Sequence, residues 1–146
     1  MRAATRLAWP WLLVAGVVVA EACSSKADAI AAPTDASIVG VYALTLVNGG
    51  ALPFPLAGND TARLDITGGT ITLTADHTFT DVLVTRLVYT SGVPAPVDRS
   101  DTLTGTYTLF SRYVALAYPG RGTDTLAVTG DLLQKNEGGL LMAYKK

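Results

Sequence analysis

One imidazole, His77, and one thiol, Cys23, occur among the 146 residues. A histidine-based catalytic or metal cluster has no second member. A disulfide framework or a cysteine-rich zinc site has no partner thiols. His77 lies in Ala75-Asp76-His77-Thr78-Phe79, a tight turn between two strand-like runs. Histidine tolerates the positive φ of such a slot better than most residues. No distinctive nucleophile stands near it in the sequence to serve as the other half of a catalytic pair. His77 is therefore read as a surface turn residue. The carboxylates are spread singly, from Asp60 to Glu137, and no spacing selects a pair for glycoside chemistry.

Asp81 stands apart from the other acids. It sits between Phe79 and Leu83 on one face of a period-two run, so an inward face would bury it. A carboxylate in an apolar interior needs a cation beside it, and Arg86 and Arg63 are the nearby candidates. The alternative is a bulge or slip that turns it outward. Tyr42, Tyr89 and Tyr107 fall on strand faces with Leu44, Leu87 and Leu109. Inward rings there would line an apolar cavity and offer hydroxyl anchors. The expected ligand-binding set is thus Tyr42, Phe79, Asp81, Tyr89 and Tyr107. The competing reading is a filled core whose hydroxyls reach backbone partners. Gly120-Arg121-Gly122 and Gly138-Gly139 precede no helical pattern, so they are turns and not phosphate loops. No catalytic set, metal site or cofactor motif is read, and the chain is expected not to be an enzyme. Basic and acidic residues number 11 and 12, which leaves no basic footprint for nucleic acid.

These side chains need elements to hold them, and the chain first divides at its N-terminus. Arg2 and Arg6 flank the start of an apolar stretch from Leu7 to Ala20. It is shorter than the roughly 20 residues of a membrane span and suits a signal-peptide core. Ala20-Glu21-Ala22 reads as an A-x-A cleavage site, which assigns residues 1–22 to a signal peptide. The segment Ala20-Glu21-Ala22-Cys23 also resembles a bacterial lipobox. Ala22 fits the small residue before the cysteine, Ala20 stands where Leu is usual, and Glu21 departs from the pattern. The resemblance implies lipidation of Cys23 and a membrane link through that N-terminal lipid anchor. Ser24, in place of Asp, is similar to the pattern for outer-membrane sorting. The protein is expected to be exported and lipid-anchored, facing the periplasm or at the cell surface, with plain secretion as the alternative. Residues 23–37 are small, polar and Pro-containing and are read as a flexible tether. A short helix over Ala27–Ala32, stopped by Pro33, is the other option.

Residues 38–146 are expected to form one all-β domain. Helix formers are scarce there, Thr is abundant, and turn signals recur at short intervals. Thr70–Thr74 and Thr102–Leu109 alternate apolar and hydroxyl side chains, the period of a sheet wet on one side. Strands are expected over Ile38–Val47, Ala62–Thr67, Thr70–Ala75, Thr78–Thr90, Thr102–Phe110, Tyr113–Tyr118, Thr123–Thr129 and Gly139–Lys145. Ala51–Leu56, with Pro53 and Pro55, is at best a broken edge strand. Gly68-Gly69 is read as a hairpin turn and Ser91–Asp101 as an irregular connection. Eight antiparallel strands in sequence suit an up-and-down β-barrel, with a β-sandwich as the alternative. Closure would remove the edge strands that invite association, and a monomer is expected.

Gly40-Val41-Tyr42-Ala43-Leu44-Thr45, the Leu73–Phe79 hairpin and Thr104-Gly105-Thr106-Tyr107-Thr108-Leu109 make Ile38–Lys146 similar to the small lipocalin-like (calycin-type) domains of bacterial envelope lipoproteins. Tyr42 stands where lipocalins usually carry Trp, no Trp occurs after Trp11, and the C-terminal helix of long lipocalins is missing. The resemblance implies a non-enzymatic barrel, without a cofactor, that binds a small hydrophobic ligand or lipid in the cell envelope. The alternative is a structural or protein-interaction module with a filled core.

Overall fold

Thr, Val, Leu and Tyr dominate the runs between turns, and β-branched and aromatic side chains suit a pleated, half-buried surface. The computed structural model describes residues 32–146. The signal segment, Cys23 and the tether as far as residue 31 lie outside the described residues. A four-residue helix, α1 (Asp35–Ile38), precedes ten strands. These are β1 (Gly40–Val47), β2 (Gly50–Ala51), β3 (Phe54–Gly58), β4 (Ala62–Leu73), β5 (Thr78–Tyr89), β6 (Val97–Phe110), β7 (Tyr113–Tyr118), β8 (Gly122–Thr129), β9 (Leu132–Glu137) and β10 (Leu140–Lys145).

The strands form one sheet in the order β2-β1-β10-β9-β8-β7-β6-β5-β4-β3, and β1 also pairs with β4. That extra pairing closes the sheet. Gly40–Ala43 of β1 lie antiparallel to Leu73–Thr70 of β4, and from Ala43 onward β1 lies against β10. Eight strands, β1 and β4 to β10, therefore make an up-and-down barrel, with β2 and β3 as additions. Alternation sends one face inward: Val114, Leu116 and Tyr118 from β7, Leu126 and Val128 from β8, Leu133 from β9. With Tyr42, Ile71, Leu73, Phe79 and Tyr144 they form the core. Burying each such side chain contributes about 1.5–3 kcal/mol.

The eight barrel strands are not quite the eight expected. No turn occurs at Gly68-Gly69: β4 runs through it, with a bulge between Ile66 and Gly68. Glycine is needed at 69 because a Cβ there would stand 2.9 Å from the Val82 carbonyl oxygen. Conversely, β9 was hidden between two turn signals. Its residues Gln134, Lys135 and Asn136 blur the apolar alternation on which a strand reading rests. These two errors cancel in the count. β6 starts at Val97, so much of the expected irregular connection is strand. Ala51–Leu56 is divided around Leu52 and Pro53 into β2 and β3.

The two ends of the barrel differ. One carries the β4–β5, β6–β7 and β8–β9 turns and is closed by α1. Thr34 and Ser37, expected in the tether, instead form a capping box: Thr34 Oγ1 accepts from the Ser37 backbone, and Ser37 Oγ accepts from the Thr34 backbone. The helix is anchored by buried Ile38, whose carbonyl accepts from Tyr42 OH at 2.8 Å. Lys146 Nζ donates to the Ser37 carbonyl at 3.0 Å, so the C-terminus is tied to the helix. At the opposite end β3 to β6 extend as a ledge, because β1 leaves β4 at Thr70 and β7 joins β6 only from Thr106.

Candidate functional site

A lysine at an inward position of a barrel strand must bring its counter-charges with it. Lys135 of β9 is such a residue, with 2% of its surface exposed. Its Nζ stands 2.8 Å from Asp81 Oδ2 of β5, 2.8 Å from Glu137 Oε2 and 3.3 Å from Asp124 Oδ2 of β8. It also donates to Tyr118 OH at 3.2 Å, and that hydroxyl donates to Asp81 Oδ2 at 3.1 Å. Asp81, Tyr118 and Lys135 form a closed triangle, and all three are buried. Phe79 packs edge-on against the Tyr118 ring at 4.9 Å, which fixes the phenol in place. Among the described residues no group of three or more His, Cys, Asp and Glu is arranged to hold a metal ion. The three carboxylates that converge here close on an ammonium instead.

Burial alone would lower the affinity of Lys135 for its proton. The hydrogen bonds to Asp81 and Glu137, with the Asp81 charge, outweigh it and hold the ammonium above the usual lysine range. Burial raises the Tyr118 and Tyr144 phenols, which stay neutral donors. The cluster is thus a fixed cation ringed by acids.

Above this floor, toward the ledge end, lies a partly open cavity of about 360 Å³. Leu83, Leu103, Met142 and Tyr144 provide apolar wall, while Asp81, Lys135, Glu137, Asp101 and Arg121 provide the polar surface. A side pocket of about 200 Å³ between Leu103, Tyr118, Arg121, Asp124 and Glu137 shares part of that lining. The gap that admits it lies where β6 has no strand beside it above Thr106.

The expected ligand-binding residues are only partly brought together. Asp81 points inward and lines the cavity; its cation is Lys135, not Arg86 or Arg63. Those two arginines serve other acids: Arg63 Nε pairs with buried Asp65 at 2.7 Å, and Arg86 grips Asp98 with two contacts of 2.6 and 3.0 Å. Phe79 stands behind Tyr118 as support. Tyr42 is fully buried at the helix end, and Tyr107 OH donates to the Thr74 carbonyl at 2.7 Å, so both belong to the filled half of the core. Tyr89 is partly exposed on the ledge, opposite Ala62. His77 is an exposed turn residue at φ 62, with its ring 5.2 Å from that of Tyr107. Sequence reasoning missed Lys135, Tyr118, Asp124 and Glu137. The one signal was Lys135 itself, a lysine between Leu133 and Glu137 in step with the apolar face. Comparison with protein-family models, with curated proteins and with solved structures finds no match.

Proposed function

We propose that this chain is an exported, lipid-anchored, lipocalin-like barrel of the cell envelope that binds a small amphipathic molecule and performs no catalysis. The observation that carries the reading is the cavity of about 360 Å³ inside one end of the barrel, within the range of small-molecule sites. Its two kinds of lining define the ligand. Leu83, Leu103 and Met142 suit an apolar body. A wholly apolar molecule would cover Arg121, Glu137 and Asp101 without replacing their water, at a cost in desolvation. A ligand with a polar end turned to that rim avoids the penalty. The rigid Asp81–Tyr118–Lys135 triangle supports this role by holding the floor in one shape. The export arm rests on residues 1–22 and on Cys23, and gives the barrel its place at a membrane.

Native mass spectrometry of the full chain, extracted from membranes in mild detergent, tests the ligand. An adduct of small-molecule mass is expected on the barrel, and Leu103→Trp, which fills the cavity, removes it. An adduct-free wild-type chain, or an adduct indifferent to Leu103→Trp, overturns the reading.

A further inference from the structure

The barrel closes, yet one of its strands keeps a bare edge. β6 pairs with β5 from Val97 to Thr106, while β7 joins its other side only from Thr106 onward. Among the described residues nothing pairs with the far edge of Val97–Thr104. The side chains of Val97–Thr102 are all exposed. Tyr107 N–H donates to the His77 carbonyl on the β5 side at 2.8 Å. The register with β5 contains no shift, so the alternation continues upward. Arg99, Asp101 and Leu103 turn their backbone groups to β5. Asp98, Ser100 and Thr102 turn theirs to the open edge.

We propose that this edge is a self-association surface, on which a second copy of the chain lays its own Val97–Leu103 antiparallel, in the register centred on Ser100. The charges select both the occupant and the register. A two-fold pairing sets each residue opposite its mirror image about the centre. Centred on Ser100, Arg99 faces Asp101 of the other copy twice, and Val97 faces Leu103 twice. Centred on Arg99 the arginines face each other; centred on Asp101 or Asp98 the aspartates do. Centred on Thr102, the paired stretch runs into β7, where a Cβ on Gly105 would already stand 2.1 Å from the Ala117 carbonyl oxygen. Only the Ser100 register sets unlike charges opposite one another. In it Arg99 and Asp101 form a non-hydrogen-bonded pair, the kind whose side chains lie closest. Charges on an exposed edge commonly guard it against indiscriminate pairing. Here their order excludes the neighbouring registers and admits one. On the outer face, Arg86 already neutralises Asp98, which then faces only Thr102. The joined ledges would make one sheet continuous across the two-fold axis.

Sedimentation equilibrium of the full chain in density-matched mild detergent, over a dilution series, tests this. The wild type is expected to dimerise reversibly. Arg99→Asp and Asp101→Arg each set like charges opposite twice, and each raises the dimer Kd roughly tenfold to a hundredfold. The double swap Arg99→Asp/Asp101→Arg restores the unlike pairs and with them the wild-type Kd. A wild type that stays monomeric throughout overturns the proposal. So does a dimer indifferent to the single swaps, or one that the double swap fails to restore.

Discussion

Replacing Lys135 by Met keeps most of its volume and removes its charge. Asp81 is then left buried, with Tyr118 OH, 3.1 Å away, as its only side-chain donor among the described residues. Removing one partner of a buried ion pair costs about 3–5 kcal/mol, a large share of the roughly 5–15 kcal/mol that holds a domain of this size together. The reverse deletion is milder. In Asp81→Asn the ammonium keeps Glu137 at 2.8 Å and Asp124 at 3.3 Å. The expected loss is that of a hydrogen bond to a charged group, about 1.5–3 kcal/mol. Removing both charges in Lys135→Met/Asp81→Leu leaves an apolar contact and one phenol short of an acceptor. This variant is expected within about 2 kcal/mol of the wild type. The order of stabilities is therefore wild type, then double variant, then Asp81→Asn or near it, then Lys135→Met. Urea denaturation at neutral pH, followed by far-UV circular dichroism, reads these differences as shifts in midpoint at constant slope. Thermal melts should show Lys135→Met lower by about 10–20 °C. A Lys135→Met loss under about 1 kcal/mol, or a double variant as weak as the sum of the singles, would refute the view that Asp81 depends on Lys135.

Gly105→Ala places a Cβ 2.1 Å from the Ala117 carbonyl oxygen and 2.7 Å from the Phe79 ring. Because the first of these is backbone, a loss of about 3 kcal/mol or more is expected, read as a collapsed thermal transition. Alkaline titration checks the buried protons. Lys135 is raised above its ordinary 10.5, and Tyr42, Tyr107, Tyr118 and Tyr144 above 10.0. A raised folded value means full stabilisation below the ordinary value and its loss as pH climbs through the folded one. Stability should hold up to pH 10 and then fall by about 1.4 kcal/mol per pH unit for each such group. Tyrosinate absorbance should show the Tyr118 and Tyr144 phenols ionising only as the barrel unfolds, and those of Tyr42 and Tyr107 later than an exposed phenol. Cys23→Ala is expected to release the chain from membranes into the soluble fraction, and unchanged pelleting would refute lipidation at that residue.

Strand identity was legible where a local rule governed it. The period-two alternation of Thr102–Leu109 and Tyr113–Tyr118 shows which side chains share a face, and their neighbours in the chain suffice to define it. The turn at Asp76-His77 was legible for the same reason, since its hydroxyl and carboxylate bonds lie within Thr74–Thr78. β9 was not, because polar residues stand at both parities beside Lys135. Gly68-Gly69 reads as a turn locally, but the close pass of the Val82 carbonyl at Gly69 suits the same glycine within an unbroken strand.

The sequence by itself determined an all-β chain and an N-terminal segment with the pattern of an export signal. The spacing of Asp81 with Phe79 and Leu83 puts the three on one strand face, but it left open whether that face turns inward. The unshifted register of β5 with β6 and the burial of Asp81 decided it. Only closure of the barrel decided what meets Asp81. Lys135 lies 54 positions away and reaches Asp81 because β5 and β9 face each other across the interior. The arginines nearest in sequence turn to the outer face, where Asp65 and Asp98 take them up. The free edge of β6 was likewise beyond local reading. It exists because β7 is shorter than β6, and whether a strand has a neighbour depends on the length and register of another strand, not on its own residues.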